Sequence, residues 1–168
     1  DENGNITGAS KIARDITEKK RAADAIRLSN ERYNLVAKAT NDSIWDWDIL
    51  TGTVTRTGEG FTRMFGYTIE ESAADPLFWS KKVHPEDITR VLNLLQVVFE
   101  EPKTFYWEDE YRVCNAKGKY AYVYDKGYIL RDEAGKAIRM IGATQDITQQ
   151  KEQIIEIRRI QQNLYSLI

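Results

Sequence analysis

A single cysteine and a single histidine stand in 168 residues. One thiol, Cys114, forms no intrachain disulfide, and a cysteine-poor chain fits a reducing compartment, so the cytoplasm is the expected location. One imidazole, His84, excludes both a His-rich metal site and a Ser-His-Asp triad. Charge of one sign is also lacking. The formal net charge is −2 and no basic stripe follows one helix face, so neither nucleic acid nor an anionic membrane surface is an expected partner. The run Lys19, Lys20, Arg21 reads as a solvated helix face. The longest apolar stretch, Val91 to Phe99, is broken by Asn93 and Gln96 and falls short of the ~20 residues that span a bilayer. The chain opens on "DENGN" with neither an initiator Met nor a signal-peptide pattern, and the expectation is an excerpt from a longer protein.

What is present is ordinary for a soluble globular domain: 42% apolar, 11% aromatic and 30% charged residues. "DITEKK" at residue 15 returns as "DITQQK" at residue 146, and the fourteen residues before each copy also correspond. A repeat period this long means tandem domains, so residues 1–14 are expected to be the tail strand of a preceding domain. Asp15 with Glu18, and Asp146 with Gln149, have the spacing of a capping box at a helix start. Downstream, Ile147, Ile154, Ile157, Leu164 and Ile168 fall on heptad a and d positions, as do Ile16, Ala23, Ile26, Tyr33 and Ala37 in the first copy. Each seam has one polar a residue, Asn30 or Gln161, of the kind that fixes register and oligomer number. Residues 15–40 thus read as a linker helix and 147–168 as a coiled-coil-type helix, with a homodimer expected through them. An amphipathic helix lying on its own domain is the alternative, more evenly matched for the Ala-rich first copy.

Between the helices the periodicity alternates. "SIWDWDIL" puts Trp45, Trp47 and Ile49 on one face, and Thr51-Gly52 turns the chain into "TVTRT", a hairpin. "GFTRMFGY" and "DPLFWSKKV" suggest short helical pieces. His84-Pro85-Glu86-Asp87 opens a longer helix whose apolar face holds Ile88, Val91, Leu92, Leu95 and Phe99. Three strands follow, over 105–114, 120–130 and 136–146. Two strands, helices, then three strands predict an α+β fold: a five-stranded antiparallel sheet with helices on one face.

The phrases "IWDWDILTGTV", "MFGYTIEE", "VHPEDITRV", "EYRVCNAKGKYAYVYDKG" and "DEAGKAIRMIGATQDIT" together resemble a PAS domain of the PAS/PAC type, over residues 41–148 and in the family's order. The resemblance implies a PAS core at 41–146. It also implies a sensory and relay role in a multi-PAS bacterial signalling protein, a histidine kinase or alternatively a diguanylate cyclase. Adjacent PAS or kinase domains would then lie in the same chain. The family's D-x-T signature at the exit to the output helix is matched by Asp15 and Thr17 and by Asp146 and Thr148. A tryptophan frequent in the strand after the K-G turn is Tyr122 here.

Chemistry-bearing candidates are few. His84 matches the family's HP-acid-acid phrase and reads as structural rather than as a haem ligand, and Cys114 lies outside any Asn-Cys-Arg-Phe phrase of a flavin adduct. No cofactor is therefore required. Asp46 with Asp48, and Glu108 with Glu110, place carboxylates on one strand face, where a cation or acid-base chemistry is conceivable and a solvated face is the plainer reading. "GNITGASK" misses the spacing of a phosphate loop. With no convergent nucleophile, base and metal set, a non-catalytic domain is expected. Trp45, Trp47, Phe61, Met64, Phe65, Leu92, Leu95 and Tyr122 are the candidates to line a pocket between sheet and helix. So many large side chains favour a filled core, with a small apolar or flavin-like ligand as the other possibility.

Overall fold

The computed structural model describes residues 15–166. The expected tail strand at 1–14, and Ile168 of the expected seam, lie outside the described residues. The chain divides into two units at Tyr33/Asn34. In the first, the described residues form the start of helix α1 (Thr17–Thr40).

The second unit holds strands β1 (Ser43–Asp48), β2 (Thr53–Thr57), β3 (Tyr106–Cys114), β4 (Tyr120–Arg131) and β5 (Ala137–Asp146). Between β2 and β3 come helices α2 (Gly60–Phe65), α3 (Ile69–Ala73), α4 (Phe78–Lys82) and α5 (Pro85–Glu100), and α6 (Thr148–Tyr165) follows β5. All neighbours pair antiparallel in the order β2-β1-β5-β4-β3, the predicted five-stranded sheet. Its central strand is the last in sequence, so the first hairpin closes on the sheet only after β5 is laid down.

Local signals explain the helix ends. α2 stops at Gly66, whose φ of 76° is left-handed and suits a residue without Cβ. α3, not foreseen as a separate helix, starts with a true capping box: Thr68 Oγ1 accepts from Glu71 N–H, and Glu71 accepts from Thr68 N–H. At α5, Pro85 takes the first position and His84 Nδ1 caps it by accepting from Glu86 N–H at 3.1 Å, a structural role for the lone histidine.

Two arginines suspend α5 from the sheet. Arg112 on β3 donates to both oxygens of Asp87 and to Glu86 in the first turn. Arg131 on β4 donates to the carbonyls of Val98, Phe99, Glu101, Thr104 and Gly135 at the other end. Acids at the amino end and a cation at the carboxyl end both oppose the helix dipole. Val91 and Val98 face inward and join Phe61, Phe65, Trp107, Tyr111, Val113, Val123, Ile129 and Met140 in the core.

Candidate functional site

The inner face of the sheet is set by strand register. One row crosses all five strands: Arg56, Trp45, Gly142, Gly127 and Trp107. The two glycines are required there. A Cβ on Gly142 would lie 2.3 Å from the Trp45 ring and 2.2 Å from the Lys126 carbonyl oxygen, and one on Gly127 would lie 2.7 Å from the same ring. The Trp45 indole therefore rests on bare backbone. Its Nε1 donates to Asp125 at 2.9 Å and to Thr144 at 3.1 Å, in the neighbouring row Ser43, Thr144, Asp125, Asp109.

Because the Trp45 ring packs against Gly127 and Gly142, it walls the interior instead of filling it. The filled core favoured by the sequence gives way to a cavity of about 330 Å³ between sheet and helices. Of the eight candidates, Trp45, Trp47, Phe61, Phe65, Leu92 and Leu95 line it. Met64 and Tyr122 do not. Met64 packs against the core beside it. Tyr122 has the opposite parity to the inward residues Ala121, Val123 and Asp125 of β4, so its side chain is on the other face. Leu77 and Leu92, both exposed, belong to the wall, so the space reaches the surface beside them.

Two charged residues that the sequence reading passed over line the same cavity, Asp125 and Arg56. Asp125 is 4% exposed and accepts from the Tyr111 hydroxyl at 2.6 Å, the Thr144 hydroxyl at 3.0 Å and the Trp45 indole. Burial pushes its carboxyl up to about 6, and the three donors oppose that rise. Burial likewise pulls the Arg56 guanidinium down to about 10, with Asp125 and Tyr111 acting against it, so Arg56 keeps its charge at neutral pH.

A second constellation joins sheet to helix. Past the last β4–β5 pair, Ile147 N–H donates to the Tyr122 carbonyl at 2.9 Å and the Thr148 hydroxyl accepts from Tyr122 N–H at 2.9 Å. The Thr148 side chain thus extends the ladder by one residue after the strand has become helix. Asp146 Oδ1 accepts from Thr148 N–H at 2.9 Å, so the expected Asp146–Gln149 capping box is replaced by a turn closed two residues on. Asp15 and Thr17 repeat that turn at 2.9 Å, with Asp15 held below the usual carboxylate range by Thr17. Lys151 pairs with Glu110 on β3. Beyond this the α6 side chains are exposed, among them Ile154, Ile157, Gln161 and Leu164.

The carboxylate pairs singled out from the sequence are engaged locally. Asp46 pairs with Arg139, Asp48 accepts from Leu50 and Thr51 N–H, and Glu108 accepts from the hydroxyls of Tyr106 and Tyr124. Among the described residues no group of three His, Cys, Asp or Glu could hold a metal, and no helix is long and apolar enough to cross a membrane.

Residues 54–144 match the family model described as PAS fold. A methyl sulfide methyltransferase-associated sensor of Methanosarcina acetivorans is 33% identical over 87 residues, covering 52% of this chain. The match spans only 9% of that relative's length. Among solved structures, a sensory box histidine kinase/response regulator from Burkholderia thailandensis E264 superposes with a TM-score of 0.67 at 27% identity, over 80% of this chain and 98% of that one. The N-terminal domain of a diguanylate cyclase with PAS/PAC sensor from Marinobacter aquaeolei gives 0.58 at 24% identity, over 66% and 98%, a likeness of fold.

Proposed function

This chain belongs to the PAS fold family, and from that premise we propose that it is a non-catalytic sensory and relay domain of a multidomain signalling protein, a sensor histidine kinase. The observation that carries the relay is the pair of hydrogen bonds that ties the Tyr122 backbone to Ile147 and Thr148, through which a shift of β4 under the cavity is felt at the first turn of α6. Ligand binding in the cavity, or the state of a neighbouring domain, biases two arrangements of the flanking helices. A ligand does so only by its differential affinity for the two states. In this reading residues 15–40 are the incoming linker helix, 41–146 the sensor and 147–168 the outgoing helix. Asp15 and Thr17 are the matching exit of the domain before. Two copies pair through Ile154, Ile157, Gln161 and Leu164 of the described seam.

Replacing Asp146 by Ala in the full-length protein is expected to uncouple output from the sensor while leaving the domain folded; unchanged signalling would sink the relay assignment. Native mass spectrometry of the 168-residue chain tests the pairing, with a dimer expected and a monomer contradicting it. The second reading, a spacer that dimerises without a ligand, is favoured by the exposed apolar residues of α6 alone. A dimer of bare chains that takes up no added ligand would support it.

A further inference from the structure

The cavity wall carries one positive charge, and the protein does not neutralise it at close range. Arg56 is 9% exposed. Its only hydrogen bond among the described residues runs from Nη1 to Ser72 Oγ at 3.1 Å. The guanidinium stands 4.5 Å above the Phe61 ring and 5.8 Å from that of Trp79, and no carboxylate of the described residues lies within ion-pair distance. Asp125 acts on it only from further away, with both oxygens already engaged by Trp45, Thr144 and Tyr111. A guanidinium has five N–H donors, and a buried charge is costly unless it is paired and hydrogen-bonded.

The rest of the lining offers Arg56 no carboxylate partner at close range. The indole N–H groups of Trp47 and Trp107 are buried with no acceptor among the described residues. The one carboxylate of the lining, Asp125, already accepts from three side chains. A site with one under-bonded guanidinium among the described residues and mainly apolar walls suits an occupant with an apolar body and a single anionic acceptor group. A dianion would meet repulsion from Asp125 with no second cation to offset it. A planar carboxylate matches the guanidinium fork. The volume, about 330 Å³, is at the small end for ligand sites and fits one or two rings.

We propose that the cavity takes a small aromatic or alicyclic monocarboxylate, its carboxylate paired with Arg56 and its ring against Trp47, Phe61 and Leu95. The proposal rests on the reading of the cavity as a ligand site, and names what that site selects.

The test is calorimetric titration of the whole chain with 1-naphthoate, its neutral counterpart 1-naphthylmethanol and the dianion 1-naphthyl phosphate. The expected result is binding of the carboxylate at least tenfold tighter than the alcohol and the phosphate. In Arg56→Gln the carboxylate should fall to the level of the alcohol, whose affinity is retained; Arg56→Lys should keep part of the preference. Equal affinity of wild type for acid and alcohol overturns the proposal and leaves the ligand reading standing, and needs no variant to fold. A preference that survives Arg56→Gln overturns it too. Binding of none of the three removes the ligand reading and this proposal together.

Discussion

The two faces of the sheet use the same charged residue types to opposite effect. On the outer face Asp46 pairs with Arg139 and Glu110 with Lys151, and these partners are solvated enough that each pair contributes little to stability. On the inner face Arg56 and Asp125 share a cavity without touching as an ion pair, and burial shifts both from their ordinary protonation behaviour. The outer charges are satisfied and nearly silent. The inner ones are held out of water by a layer of aromatic rings, and there a ligand or a proton has leverage.

The contrast breaks most severely if the inner floor is raised. Gly142→Ala drives a methyl into the Trp45 ring and the Lys126 carbonyl. The expected loss is roughly 3 kcal/mol or more by denaturant unfolding, against tenths for a substitution on the outer face. Next comes the protonation of Asp125. Its folded-state value near 6 lies above the ordinary 3.8, so its contribution to stability is fully present below about pH 4 and is lost as pH rises through about 6. Relative to Asp125→Asn, wild type is expected to lose on the order of 2 to 3 kcal/mol between pH 4 and 7; parallel pH profiles of the two would refute the buried-carboxylate account.

A smaller effect is expected at the junction. Thr148→Val removes the acceptor of Tyr122 N–H at constant shape, at a cost of about 1 to 2 kcal/mol, and amide exchange should speed up at Tyr122 more than elsewhere in β4. Smallest of all is the outer pair. Asp46→Asn should change stability by less than about 1 kcal/mol, with the difference fading in high salt. A loss as large as that at Gly142 would erase the distinction between the faces.

The architecture was legible because its signals are local. Alternation marked the strands, and Pro85 with two acids marked the start of α5. Some local signals were available and unread. "TVTRT" places Arg56 in the same parity as the inward Val54, and "AYVYDKGYI" places Asp125 in register with Ala121, Val123 and Ile129. A charge on the apolar parity of a strand was the cue to both residues, and Thr68 with Glu71 was the cue to α3. Other features had no local signature. Trp45 meets Asp125 across 80 residues and rests on glycines of two other strands, so whether it fills or walls the interior depends on a register that only the assembled sheet defines. Residue type makes Tyr122 a candidate for the cavity lining, but parity turns its ring away, and its backbone serves the junction instead.

Arg131 carries an implication for how this sequence can drift. Its guanidinium gathers five carbonyls from the end of α5, the loop after it and the turn before β5. Lysine, the mildest exchange by charge, brings a compact head with only three donors and cannot serve that spread. Position 131 therefore has no gentle neutral path open to it. A lineage keeps the arginine, or it must rebuild the whole passage from α5 to β3, while the paired charges outside come and go at little cost.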